Sequence, residues 1–149
     1  MRAVLQRVLR ASIDVQGVPA ASIGRGLLVL AGLRESDTDE DLEYIMAKIT
    51  GARIFDDDRG VMNRSIEEIG GEILVVPQFT LYGDLRRGRR PSYSDAMKPE
   101  RARRMFATFM ERLTDRYPSV KSGVFGAHME VSLVNDGPVT ILLDSERRF

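Results

Sequence analysis

The side chains with the clearest chemical capacity are Gln78 and Thr80, which follow directly on an apolar run. Residues 73–76 are four aliphatic residues, three of them β-branched, which favours a strand buried on both faces. An amide, a hydroxyl and backbone N–H groups at a strand end could orient a carbonyl group and stabilise an oxyanion. The two side chains could instead only satisfy backbone groups at the strand terminus, and the residues alone leave both interpretations open.

Two further residues could contribute to a site. Pro77 cannot donate to a sheet ladder, so it predicts an edge, a bulge or the end of the strand. Residues 3–15 alternate between apolar and polar, and Arg7 is the only charge on the apolar side. A guanidinium there should be paired or hydrogen-bonded to carbonyls, at a site or at a sheet end where it reaches water.

A turn signal occurs near the end of the chain, at residues 135–138. Asn, Asp and Gly all tolerate positive φ, so this segment predicts a hairpin between strands at 129–134 and 139–143. The Gly137-Pro138 peptide bond is a candidate for the cis form, and Gly137 has no side chain to block a ligand. An ordinary turn is the alternative.

Composition excludes several kinds of chemistry. The chain has no cysteine and one histidine, His128, so it has too few nitrogen or sulfur ligands for catalytic zinc. No serine lies in a nucleophile-elbow sequence, and residues 56–58, three aspartates, predict an exposed turn. An enzyme with this sequence would have no obvious general base.

Charge and hydropathy limit the classes of partner that the sequence predicts. Acidic and basic residues balance at 22 each, so global charge indicates no nucleic acid, and no DNA partner is expected. Four arginines nevertheless fall within five positions, and they could bind a nucleic-acid end or form a solvated loop: Arg86, Arg87, Arg89 and Arg90. Without cysteines, a secretory signal or a run of membrane-spanning length, the expected location is cytoplasmic, with no membrane partner.

The elements that must position these residues alternate between strands and helices. Leu42, Ile45, Met46 and Ile49 have helical spacing after N-capping residues at 36–38. A second amphipathic helix begins at Pro99 and ends by Pro118, with a buried stripe that includes Ala102 and Phe106. We therefore predict one domain, residues 1–149, with a mixed α/β fold of the α+β type and at least two helices packed on a sheet.

The sequence resembles the D-aminoacyl-tRNA deacylase family from end to end. Two family signatures carry the resemblance, Gln-Phe-Thr-Leu-Tyr at 78–82 and Asn-Asp-Gly-Pro-Val-Thr at 135–140, supported by Leu-Gln-Arg-Val at 5–8, Arg-Ile-Phe at 53–55, Gly-Arg-Arg-Pro-Ser at 88–92 and Phe-Gly-Ala at 125–127. The first signature normally begins with serine, where this chain has Pro77. The resemblance implies a barrel-like sheet and hydrolysis of the ester between a D-amino acid, or glycine, and the terminal adenosine of tRNA.

The resemblance also implies roles for residues, a homodimer, and no metal or cofactor. Gly137 and Pro138 would form a cis chiral filter that enters the partner's pocket, braced by Arg7. The remaining roles would be catalysis by Pro77, Gln78 and Thr80, substrate binding by Phe79, Phe125, Gly126, Ala127 and Met129, and contact with tRNA phosphates by Arg86, Arg87, Arg89 and Arg90.

Three hypotheses remain open on this basis. In the first, the chain is an active deacylase in which the Thr80 backbone N–H assists and the ribose 2′-hydroxyl of the substrate positions water. Thr80 has also been assigned as a nucleophile in the family, but it has no neighbouring base to activate it. In the second, Pro77 has disabled the site, which leaves a dimer that binds the tRNA end or a nucleotide. In the third, the fold edits another aminoacyl ester, such as Gly-tRNA.

Overall fold

The apolar run at residues 73–76 forms the centre of a strand, as its composition predicts. The structure is a computed structural model that describes residues 1–148. Its strands and helices follow in the order β1 (Arg2–Val15), β2 (Val18–Ile23), β3 (Gly26–Gly32), α1 (Asp39–Gly51), β4 (Phe55–Asp56), β5 (Met62–Arg64), α2 (Ile66–Ile69), β6 (Glu72–Pro77), a 3₁₀ helix (Phe79–Tyr82), α3 (Pro99–Arg116), β7 (Val120–Ser122) and β8 (Glu130–Asp144).

The main sheet is organised around the long strand β1. One edge of β1 pairs antiparallel with β3 over its first half and with β2 over its second half, while β8 pairs along the other edge. The sheet continues through parallel pairs from β3 to β6 and from β6 to β7. The Lys121 ammonium of β7 donates to the Ser22 carbonyl of β2 at 2.6 Å, so the ends of the sheet approach each other and the sheet is barrel-like.

Two apolar cores lie on opposite faces of β6. Ile73 and Val75 pack into the larger core, between the sheet and helices α1 and α3. Leu74 and Val76 pack into the smaller core inside the barrel-like sheet. All four side chains are at most 1% exposed, which confirms a strand buried on both faces and fixes the position of its polar end.

The two amphipathic helices form where their spacing predicts. Helix α1 begins after the N-cap Thr38 and buries all four residues of the predicted stripe. Helix α3 begins with Pro99 at its first turn and buries Ala102, Phe106, Phe109 and Leu113. The sequence interpretation missed α2, which is a single turn after the N-cap Ser65. None of the helices in the described chain is long and apolar enough to cross a membrane.

The predicted hairpin at residues 135–138 is wrong. Both flanking segments belong to one strand, β8, and both pair antiparallel with β1, Leu133 opposite Ala11 and Thr140 opposite Gln6. The intervening residues bulge out of the ladder, and the Gly137-Pro138 peptide bond within them is cis. The Asn135 side chain spans the bulge, accepting from Val139 N at 2.7 Å and donating to Val139 O at 3.1 Å. A bulge replaces the turn because β1 is long enough to pair with both segments.

Candidate functional site

A cleft of about 530 Å³ opens where strand β6 ends. Four parts of the chain line it: the end of β3 with Ala31 and Leu33, residues 77–79, the segment leading into α3 with the first turns of that helix, and Phe125 with Gly126. Three residues predicted as site residues therefore come together from one segment, Pro77, Gln78 and Phe79. Two more, Phe125 and Gly126, join them from a distant loop.

The chain leaves the sheet at the floor of this cleft. Pro77 is the last residue of β6, paired with Ala31 in β3, and Gln78 N donates to Ala31 O at 2.8 Å. The chain then enters the 3₁₀ helix, whose first N–H groups, those of Phe79 and Thr80, have no intrahelical acceptor. The Gln78 side-chain amide donates to the Thr80 hydroxyl. The segment thus carries backbone donors next to the lining residues Gln78 and Phe79. Thr80 itself does not line the cleft, and its side chain is already engaged.

The 3₁₀ helix is held against the sheet by Arg2, a residue that the sequence interpretation did not assign. The Arg2 guanidinium donates to Leu81 O at 3.0 Å and lies 4.7 Å from the centre of the Tyr82 ring. It also forms an ion pair with buried Asp144, at 3.1 Å. Burial raises the pKa of Tyr82 above its ordinary value. Nothing in the local sequence pairs residue 2 with residues 81 and 144, which are brought together only by the fold.

Aromatic side chains form the walls of the cleft. The Phe79 and Tyr93 rings meet edge to face with centroids 5.0 Å apart, and both are exposed. On the other side, the Phe125 ring packs at 5.8 Å from Phe106. Tyr93 was not among the predicted site residues, and Phe106 was interpreted only as core, although it also lines the cleft. The position of Tyr93 three residues after the basic run was the available signal.

Met129 and Ala127 adjoin the cleft without lining it. A Cβ atom at Gly123 would lie 2.7 Å from Met129 Sδ and 3.7 Å from Pro77 Cδ, so Met129 and Pro77 border the same narrow gap. Ala127 N donates to Val124 O at 3.2 Å and closes the turn that presents Phe125.

Arg7, Gly137 and Pro138 form a second cluster that does not line the cleft of the same chain. Buried Arg7 donates from Nε to Asp136 O at 2.8 Å, and from Nη1 to Ile54 O at 2.9 Å and Asp56 Oδ1 at 3.2 Å. These contacts confirm the prediction that Arg7, the one charge on the apolar side of β1, is hydrogen-bonded to carbonyl and carboxylate oxygens. Arg7 thereby fixes the bulge that carries the Gly-Pro peptide.

Basic side chains occur in the loop between the 3₁₀ helix and α3 and in the first turn of α3. Arg86 donates to both carboxylate oxygens of Asp84 and lowers the pKa of that carboxyl to about 2. The other three arginines of this loop are exposed, namely Arg87, Arg89 and Arg90. Nearer α3, the Glu35 carboxylate accepts from Arg101 and from Lys98 N, and the hydrogen bond from Arg101 is the main cause of its lowered pKa.

Within residues 1–148, the cleft is lined by no carboxylate and no imidazole, and His128 is exposed outside it. The same residues contain no group of three or more His, Cys, Asp or Glu side chains that could hold a metal ion. The polar residues in its lining are Gln78, Tyr93, Ser94 and Lys98, and the other lining residues are apolar, aromatic or glycine.

Comparison with known families matches residues 4–144 to the model described as D-Tyr-tRNA(Tyr) deacylase. The D-aminoacyl-tRNA deacylase of Thermosipho melanesiensis is 54% identical over 150 residues, and that of Clostridium acetobutylicum is 47% identical over 149 residues. Each alignment covers all of both chains.

Two solved structures share the fold. The structure titled "c-Myc DNA Unwinding Element Binding Protein" aligns with a TM-score of 0.93 and 42% identity, over 97% of this chain and 98% of that chain. A probable eukaryotic D-amino acid tRNA deacylase aligns with a TM-score of 0.76 over 95% and 97% of the two chains. Its identity of 21% supports the fold alone.

Proposed function

The chain belongs to the D-Tyr-tRNA(Tyr) deacylase family, and on this premise we propose that it hydrolyses the ester bond of D-aminoacyl-tRNA. The reaction releases the free D-amino acid and tRNA, and so proofreads chirality in translation. The observation that supports the proposal is the aromatic cleft at the end of β6, which is lined by Phe79, the first residue of the 3₁₀ helix.

The aromatic walls suit the terminal adenosine of the substrate. Proteins recognise unpaired bases largely by stacking them on aromatic side chains. Phe79 and Tyr93 on one side and Phe125 on the other provide such surfaces around a volume of about 530 Å³. Binding of adenosine between them brings the esterified ribose close to residues 77–80.

The chemistry that we propose uses the substrate as well as the protein. Water adds to the acyl carbon, the ester C–O bond breaks, and the ribose oxygen leaves with a proton that originates from the water. The N–H groups of Phe79 and Thr80 stabilise the charge that develops on the acyl oxygen, and the ribose 2′-hydroxyl positions the water. Gln78 holds the Thr80 side chain, which fixes the direction of the adjacent N–H. Pro77 contributes no N–H or hydroxyl, so its role is to end the strand there.

We further propose that this reaction requires no metal ion. The polar residues that line the cleft are Gln78, Tyr93, Ser94 and Lys98, whose side chains are poor ligands for the metals that activate water. Activity that is unchanged after dialysis against EDTA would support this part of the proposal, and loss of activity that added metal restores would refute it.

The Gly-Pro bulge supplies the chiral filter in this proposal, from a second subunit. Within one chain, neither Gly137 nor Pro138 lines the cleft, yet Arg7 holds the bulge at the surface. A symmetric homodimer would place each bulge at the partner's cleft, where carbonyls next to a residue without a side chain could exclude an L-amino acid. Arg87, Arg89 and Arg90 would meet tRNA phosphates without reading sequence. The protein would act in the cytoplasm, where its substrate is made.

A direct assay tests the function. Purified protein should release tyrosine from D-Tyr-tRNA and leave L-Tyr-tRNA intact, and equal rates on the two esters would refute the proposal. Gly-tRNA and other D-aminoacyl-tRNAs in the same assay define the substrate range. Binding of a non-hydrolysable D-aminoacyl-adenosine analogue without turnover of the true ester would instead identify a binding protein disabled at Pro77.

A further inference from the structure

Helix α3 carries five arginines, and one of them differs from the rest. Arg101 pairs with Glu35, Arg104 with Glu100, Arg112 with Asp39 and Arg116 with Glu43. Arg103 has no carboxylate partner and no hydrogen-bond acceptor among residues 1–148. Its one specific contact is with an aromatic ring, because its guanidinium carbon lies 4.9 Å from the centre of Phe125.

This contact places the free guanidinium at the rim of the cleft. Phe125 and Gly126 both line the cleft, and a Cβ atom at Gly126 would lie 3.3 Å from Arg103 Nη2. The Phe125 ring therefore contacts buried Phe106 and exposed Arg103. Stacking on a ring holds the plane of the guanidinium while its N–H groups remain available to another ligand.

The positive charge of Arg103 suits the phosphate of a nucleotide bound in the cleft, because that phosphate must remain outside the apolar lining. A terminal adenosine buries its base among apolar side chains, but its 5′-phosphate is too costly to desolvate without a cationic partner. That phosphate must emerge at the rim. A planar fork of N–H donors is the group that best matches phosphate oxygens, through charge-assisted hydrogen bonds.

We propose that Arg103 binds the 5′-phosphate of the 3′-terminal nucleotide of the substrate and so holds the adenosine in register with residues 77–80. This inference rests on the proposed function and adds a phosphate-binding residue to it. The arginines at 86–90 would contact the tRNA further from the ester. Lys98 also lines the cleft, and if it were the phosphate partner instead, the effect of the phosphate would survive the loss of Arg103. It acts on positioning, because it does not reach the reacting atoms.

Two minimal substrates isolate this contact from the rest of tRNA, namely 3′-O-(D-tyrosyl)adenosine and its 5′-phosphate. Wild-type protein should hydrolyse the phosphorylated ester with a kcat/KM about tenfold higher, the scale of one charged hydrogen-bonded contact. In Arg103→Gln this ratio should fall close to one, through loss on the phosphorylated ester alone. A purely structural role on Phe125 would slow both esters equally and leave the ratio unchanged, and that result would overturn the proposal.

Two further variants complete the test. Arg104→Gln removes the neighbouring charge, which is paired with Glu100, and it should leave the ratio as in the wild type. Arg103→Lys keeps the charge and should retain a ratio above that of Arg103→Gln, whereas an equal ratio would contradict recognition by charge. If the wild type hydrolyses neither ester nor D-Tyr-tRNA, the proposed function itself fails. If it hydrolyses them and Arg103→Gln keeps the ratio, only this inference fails.

Discussion

Thr80 has two groups that could act on a substrate, its hydroxyl and its backbone N–H. The hydroxyl accepts a hydrogen bond from the Gln78 amide, and no carboxylate or imidazole within residues 1–148 lines the cleft to activate it. The N–H lies in the first turn of the 3₁₀ helix, where it has no intrahelical acceptor. A nucleophilic role for the hydroxyl and a donor role for the N–H make opposite predictions for substitution.

We expect Thr80→Ala to retain activity within about tenfold of the wild type, because it keeps the N–H. Thr80→Pro removes the N–H and should lower kcat by a factor on the order of 100 to 1,000, as for loss of an oxyanion donor. Hydrolysis of D-Tyr-tRNA measures both, and thermal unfolding checks that both variants fold. Complete inactivity of a folded Thr80→Ala protein would contradict this expectation and support the hydroxyl as the nucleophile.

Gly137 is confined by both its backbone and its neighbours. Its φ of 140° is rare for residues with a side chain, and a Cβ atom there would lie 2.7 Å from Val139 Cγ2. We expect Gly137→Ala to distort the bulge. The preference for D-Tyr-tRNA over L-Tyr-tRNA should then fall by at least about tenfold. The measurement is the ratio of the two kcat/KM values.

Gly17→Ala is the matched control for this substitution. Gly17 also has a positive φ, 76°, but a Cβ atom there would meet nothing within 4 Å. It should lose a comparable amount of stability through backbone strain and keep the discrimination of the wild type. An unchanged D/L ratio in Gly137→Ala would contradict the assignment of the chiral filter.

Single residues differ in how much of their role the sequence could predict. Arg7 was predictable as a buried, satisfied charge because its parity in β1 is a local property, and four hydrogen-bonding or ionic contacts confirm it. Its particular acceptors were not predictable. Tyr93, Arg2 and Arg103 were missed because their significance depends on partners 14 to 142 residues away, Phe79, Asp144 and Phe125 among them.

At the scale of the element, the 3₁₀ helix depends on a strand at the far end of the sequence. Arg2 in β1 joins Leu81 O, the Tyr82 ring and Asp144 in β8. The Asp144 side chain is 2% exposed, so loss of Arg2 would leave a buried carboxylate without its cationic partner and with only the hydrogen bond from Glu146 N. The 3₁₀ helix would also lose a hydrogen bond and a cation–π contact that hold it against the sheet.

We therefore expect Arg2→Ala to lower the free energy of unfolding by about 2 kcal/mol or more and to lower activity at the same time. Chemical denaturation measures the first quantity and deacylation of D-Tyr-tRNA the second. Arg10→Ala is the control, because Arg10 lies in the same strand, is exposed and has no ion pair among residues 1–148. Equal stability of the two variants would show that Arg2 does not support the site.

The elements themselves were predictable where their pattern is local. The periodicity of α1 and α3, with the capping residues before them, is enough to predict both helices, and the β-branched run is enough to predict β6. The hairpin at 135–138 was wrong for a tertiary reason. Its sequence satisfies the rules for a turn, but β1 spans 14 residues and pairs with both flanking segments. The partner strand, which no local rule includes, converts the turn signal into a bulge.

At the scale of the whole molecule, the proposed site needs two chains. The cleft and the Gly-Pro bulge are separate surfaces of one chain, and a homodimer would join them reciprocally. Size-exclusion chromatography coupled to light scattering should give a molecular mass about twice the 16.7 kDa of the chain. A dimer alone would not establish that the filter acts across the interface, so a functional test between subunits is required.

A heterodimer of two defective subunits provides that test. One subunit carries Thr80→Pro, with an inactive cleft and an intact bulge, and the other carries Gly137→Ala, with an active cleft and a defective bulge. If the filter acts across the interface, the one active cleft faces an intact bulge, and the purified heterodimer should recover the D/L ratio of the wild type. If the filter acts within a chain, the active cleft keeps its own defective bulge, and the ratio should stay at that of the Gly137→Ala homodimer. Different affinity tags on the two subunits allow the heterodimer to be purified, and the comparison needs only the ratio, so it is insensitive to the loss of one active cleft.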